Sequence, residues 1–140
     1  MKGARLLKYV SKEGIRAELI AEEWLKRRRF CILYSPKGKP SNKPYDIIAE
    51  RGSEKWVIDV KTGQNPSISL RNFKRLLEIK DIKIPGRNET ITPNRVGYIF
   101  VVDDEPFLLE YNKRKYYARE AVKTRKRKHQ KPPSGPEEMV

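Results

Sequence analysis

Two short apolar runs each carry a carboxylate at one end. Tyr45-Asp46-Ile47-Ile48-Ala49 opens on Asp46, and Trp56-Val57-Ile58-Asp59-Val60-Lys61 closes on Asp59 and Lys61. A strand repeats every second residue, so Asp59 and Lys61 leave one strand on the same side. Arg51-Gly52-Ser53-Glu54 joins the runs and reads as a hairpin turn centred between Gly52 and Ser53. In that register Ala49 pairs with Trp56, Ile47 with Ile58, and Asp46 with Asp59. A slip of one residue would scramble the apolar faces, so the pattern itself favours the register. Two carboxylates would then stand opposed with Cβ atoms roughly 4.5–5.5 Å apart. Such a pair is destabilising unless a cation neutralises it. The chemistry that suits it is metal-assisted phosphodiester hydrolysis: Asp46, Asp59 and the Val60 carbonyl as ligands for one or two ions, and Lys61 beside the attacking water and the phosphate.

The metal can only be a hard one. Cys31 is the sole cysteine and His129 the sole histidine, lying in a basic stretch, so a disulfide framework and a Cys/His zinc site are excluded. Carboxylate ligands point to magnesium or manganese. A helix predicted from an N-cap at Ser11 to about Arg29 supplies a third acid. Its apolar stripe is Ala17, Ile20, Ala21 and Trp24. Glu18 borders that stripe and is the candidate, acting on a metal directly or through water; Glu22, one turn on, is the reserve.

The remaining elements must hold these groups. Phe30 to Tyr34 reads as a strand, followed by a loop rich in Pro, Gly, Ser and Lys through Pro44. The hairpin strands run about 45–50 and 55–61. Ser67 or Ser69 caps a second helix with the face Leu70, Phe73, Leu76 and Leu77. After a loop from Pro85-Gly86 to Asn94, Val96 to Val102 is a strand, and Asp103-Asp104-Glu105 turns it into Phe107 to Tyr111. Trp24, Trp56 and Phe73 read as core, and Cys31 as a small buried apolar residue. The layout is α/β with one mixed sheet. It divides into a domain over 1–112 and a basic, partly disordered tail over 113–140.

Charge identifies the partner class. Lys and Arg number 32 against 18 Asp and Glu in 140 residues, a net charge of +14. A polyanion is the expected ligand, nucleic acid before an anionic membrane. No apolar run approaches the ~20 residues of a membrane span, and the N-terminus lacks a signal-peptide core, so a cytoplasmic, intracellular protein is expected. Candidate phosphate contacts are Lys37, Lys39 and Lys43 on the loop before Asp46, and Arg71 and Lys74 on the second helix. In the tail they are Lys113, Arg114, Lys115, Arg125, Lys126, Arg127 and Lys128.

The pattern Glu18, Pro44-Tyr45-Asp46 and Asp59-Val60-Lys61 resembles the PD-(D/E)XK nuclease superfamily. Gly14-Ile15-Arg16-Ala17-Glu18, Trp24-Leu25 and Asp46-Ile47-Ile48-Ala49 extend the likeness over about residues 11–82. Within the superfamily the chain is most similar to archaeal Holliday junction resolvase-like endonucleases. The resemblance implies a restriction-endonuclease-like αβββαβ core with a mixed sheet flanked by helices. It also implies magnesium-dependent cleavage of branched or structured DNA, in recombination or repair, and frequently a homodimer. Two features depart from the pattern. Pro44 lies two residues before Asp46, and Asp59 stands where the resolvases usually carry glutamate. They also use a serine in the loop before the second strand, a position for which Ser35 and Ser41 both compete. The alternative is a nucleic-acid-binding module on the same fold without catalysis, which the charge alone would serve.

Overall fold

The computed structural model describes residues 12–38 and 43–113. Lys39, Arg114, Lys115, Arg125, Lys126, Arg127 and Lys128 lie outside them, as do the expected cap Ser11 and the competing Ser41.

Helix α1 spans Lys12–Arg27, with Glu13 in its first turn and Lys26 and Arg27 in its last, each favourable to the helix dipole. The helix stops two residues earlier than its periodicity predicts, because Arg29 turns left-handed at φ 70°. Four strands and a second helix follow the order expected: β1 (Cys31–Tyr34), β2 (Ile47–Arg51), β3 (Glu54–Thr62), α2 (Leu70–Glu78) and, farther on, β6 (Arg95–Val102). Between α2 and β6 the expected loop contains a small ribbon, β4 (Ile82–Lys83) with β5 (Thr90–Ile91). The last strand, β7 (Glu105–Asn112), is longer at both ends than its apolar run.

The main sheet is mixed, in the order β1-β2-β3-β6-β7. Strands β2 and β3 pair antiparallel with Ile47 opposite Ile58 and Ala49 opposite Trp56, the register predicted from the pattern. Strands β3 and β6 run parallel, since α2 carries the chain back across the sheet. Asp103 and Asp104 both take positive φ (51° and 64°) in the two-residue β6–β7 turn. This is the left-handed pair of conformations that such hairpins demand, and Asp tolerates it better than most residues.

The alternation of apolar residues along β2 and β3 divides the core into two layers. Ile47, Ala49, Trp56 and Ile58 meet α1 through Ala17, Ala21 and Leu25. Ile48, Val57, Val96 and Tyr98 meet Leu76 and Leu77 of α2. In α1 the most deeply buried line is Ala17, Ala21, Leu25, at i, i+4 and i+8, with Ile20 and Trp24 only partly covered. Two alanines let the helix seat closely on the sheet, and that seating rolls the Glu18–Glu22 side inward. The face expected on α2 is also corrected: Leu70 is 83% exposed, leaving Leu76 and Leu77 as its buried residues. Ser69 is the cap, accepting from the Asn72 N–H at 3.0 Å, and Leu70 as the first helical residue points away. Cys31 is exposed at the start of the edge strand β1, whose pairing with β2 shifts between Ile32 and Tyr34, and the residue of that strand that is buried is Leu33.

Gly97 lies where β6 passes the Trp56 indole. A Cβ there would stand 3.0 Å from two indole carbons and 3.3 Å from Ile58. The ring is buried and cannot yield. Gly97→Ala is expected to destabilise the fold by about 1–3 kcal/mol, read as a lower urea midpoint at unchanged slope.

Candidate active site

Asp46 sits one residue before β2, and its N–H donates to the Ile58 carbonyl at 2.8 Å, extending the hairpin past its last regular pair. Its carboxylate oxygen Oδ2 accepts from the Val60 N–H at 2.8 Å. The side chain is thereby folded against β3, where Asp59 is buried. The regular register ends at Ile47 opposite Ile58, and just past it the Asp46 side chain comes within hydrogen-bonding reach of Asp59, with a large electrostatic consequence. Desolvation, then the hydrogen bond and charge of Asp59, push the Asp46 carboxyl up to about 8; the Val60 N–H works against this and Glu18 adds to it. Lys61 Nζ reaches Asp59 Oδ2 at 3.0 Å, so acid and base do share one face of β3.

Glu18 faces the same group from α1. Burial raises its carboxyl above the ordinary range, a hydrogen bond from the Gly38 backbone opposes this, and Glu22 and Asp59 raise it further. Its Oε1 is buried with no hydrogen-bond partner. Glu22, the reserve, is as closely held. It is buried, accepts from the Ser35 hydroxyl, and has Lys37 Nζ 3.6 Å from Oε1. Ser35, one of the two candidate serines, is thus placed against an acid of this cluster. Lys37 and Gly38 carry the loop over α1 with φ of 54° and 80°.

Two contributors escaped the sequence reading. Tyr98 lies beside Asp59 in the β3–β6 ladder. Burial and the Asp59 charge push its hydroxyl up to about 12. That hydroxyl donates to Asn72 Oδ1 at 2.6 Å, and Asn72 Nδ2 donates to the Pro44 carbonyl at 3.1 Å. Asn72 therefore ties α2 to the segment that delivers Asp46. The signal was present: a tyrosine inside an apolar strand requires a partner for its hydroxyl, and Asn72 interrupts the inner side of α2.

Among the described residues, the proposed phosphate contacts do not share one place. Lys37 borders the acids, and Lys43 lies 5.9 Å from the Tyr34 ring. Arg71 and Lys74 are exposed on α2. Lys113 is a correction: it is buried and donates to the Ile79 carbonyl at the end of α2. Its backbone N–H donates to the Asn94 carbonyl, which turns the side chain inward, and burial lowers the ammonium to about 8. Gln64 lines a separate hollow of about 690 Å³ with Thr62, Gly63 and the Arg16–Asp104 ion pair.

The donor set suits a hard divalent ion. All its side-chain donors are oxygens, Asp46 is pushed toward its neutral form by burial and then by Asp59, and Glu18 Oε1 is buried without a partner. Among the described residues, no three acid, cysteine or histidine side chains already converge closely enough to hold an ion, so binding would require carboxylate rotation. No helix among these residues is long and apolar enough to cross a membrane. Comparison with protein-family models, curated proteins and solved structures finds no match to this chain.

Proposed function

We propose that this protein is a magnesium- or manganese-dependent endonuclease of the PD-(D/E)XK type, hydrolysing phosphodiester bonds in DNA, with branched or structured DNA as substrate. The observation that carries the reading is the opposed Asp46–Asp59 pair with Lys61 on Asp59, at one end of a mixed sheet built in the order α, β, β, β, α, β. Asp46, Asp59, the Val60 carbonyl and Glu18 would hold the ion. When bound, it would polarise the phosphate and acidify water. Lys61 places a positive charge where the phosphate gains negative charge. Its contact with Asp59 sets the ammonium before substrate arrives. Glu18, desolvated and above its ordinary range, is suited to orient water beside the acids. Tyr98 and Asn72 hold the frame behind them.

The experiment is a cleavage panel of single-stranded, duplex, flap and four-way DNA with magnesium and with chelator. Magnesium-dependent nicking of at least one structure is expected; inertness on all of them would overturn the reading. One observation favours the alternative, a nucleic-acid-binding module without catalysis: a protonated Asp46 can share its proton with Asp59 and needs no ion. Calorimetric titration separates the two, since that module would bind neither magnesium nor manganese.

A further inference from the structure

The strand register that aligns the acids continues beyond them. Lys61 pairs with Phe100, and Phe100 pairs with Phe107. One row further back, Asp59 pairs with Tyr98 and Tyr98 with Leu109. Paired residues point to one face of a sheet, so the face that bears Asp59 and Lys61 runs on into aromatic and aliphatic surface. Helix α2 covers only part of it, with Phe73 against Tyr98 and Tyr111 at ring separations of 6.3 and 5.5 Å. Phe100 is half-buried and stacked on Tyr98, centroids 6.4 Å apart at 26°. Phe107 is 57% exposed and Leu109 54%.

Large apolar side chains left open beside a lysine contribute little to the fold. They suit a ligand with an anionic backbone and flat apolar faces. From Lys61 to Phe107 is two strand spacings, about 10 Å, or roughly three stacked nucleotides at ~3.4 Å each. In a duplex the base faces are already covered by their neighbours. We infer that Phe100 and Phe107 form a stacking platform for unpaired bases next to the phosphate at Asp59 and Lys61, and that the ligand is nucleic acid with a single-stranded or splayed segment at the site. The position of that phosphate rests on the nuclease reading; the stacking does not. A second copy of the chain is the less favoured occupant, since contact would bring together two molecules each carrying +14.

The test is equilibrium binding in chelator, with an oligonucleotide carrying 2-aminopurine, single-stranded and as a duplex, to the full chain and to Phe107→Ala and Phe107→Trp. Phe107→Ala is expected to weaken single-strand binding about tenfold and duplex binding less than about twofold, with Phe107→Trp restoring the first. The wild type and Phe107→Trp should quench 2-aminopurine emission, and Phe107→Ala should not. Unchanged single-strand affinity and quenching in Phe107→Ala would overturn the inference. So would a wild-type dimer that Phe107→Ala converts to monomers of equal single-strand affinity, which would give this face to a second copy. Parallel cleavage with magnesium keeps the two readings apart. Phe107-dependent stacking without cleavage removes only the nuclease, and cleavage without Phe107 dependence removes only the platform.

Discussion

Asp59→Asn and Lys61→Met are each expected to lower magnesium-dependent cleavage at least roughly a thousandfold while leaving DNA affinity within a few-fold. Asp59 is the centre of the cluster. It bonds Asp46, holds Lys61 at 3.0 Å and raises both Glu18 and Tyr98. Replacing one carboxylate oxygen by an amide removes its charge, and with it the opposed pair that would hold an ion. The methionine keeps the packing of the lysine stem and removes only the ammonium. Neither substitution touches the exposed cations of α2 or the basic stretch beyond Lys113, so affinity from phosphate contacts should persist. Single-turnover cleavage and filter binding on the same substrate measure the two effects separately. Cleavage by both variants at the wild-type rate would remove the active site from this end of the sheet.

Asp46→Asn is expected to do the reverse of most active-site substitutions and stabilise the metal-free protein, by roughly 5 °C at pH 8. The amide oxygen can still accept from the Val60 N–H, and a desolvated charge facing Asp59 is gone. The pH dependence follows from the raised carboxyl, about 8 in the folded chain against 3.8 ordinarily. Between those values the folded state keeps a proton that the unfolded chain has released. The stability due to Asp46 is therefore fully present below about pH 4, falls as pH rises, and is lost above about pH 8. Melting curves of the wild type from pH 5 to 8 in chelator should decline relative to those of Asp46→Asn. Magnesium should recover the loss in the wild type, more at pH 8 than at pH 5, because ion and proton compete for one carboxylate. Wild-type and variant melting curves that run parallel with pH would show that the pair is not uncompensated.

The opposed acids were legible in the sequence because strand geometry leaves little freedom. A two-residue turn and period-2 alternation fix the partner of every residue from Ala49 to Trp56 and outward, so Asp46 against Asp59 follows from counting. Lys61 beside Asp59 follows from the same period. The choice between Glu18 and Glu22 was not legible. It depends on the roll of α1 about its axis, which the close seating of Ala17 and Ala21 on the sheet decides. Cys31 and Leu70 were misplaced for a related reason: an apolar residue at the end of an element carries no periodic signal to say which way it faces. Lys113 was read from its charge, and the turn at Asn94 places it under α2.

From the chain alone come the order of helices and strands, the hairpin register, the pairing of two acids with a lysine, and a charge that calls for a polyanion. These depend on neighbours in sequence and on periods of 2 and 3.6, which a linear string records. Tertiary packing alone decided that Glu18 and Glu22 of α1 turn inward, that Tyr98 and Asn72 brace the site, and that an aromatic face lies open beside Lys61. Each of these requires knowing how far α1 rolls and how little of the sheet α2 covers. Both are set by contacts between residues distant in the chain.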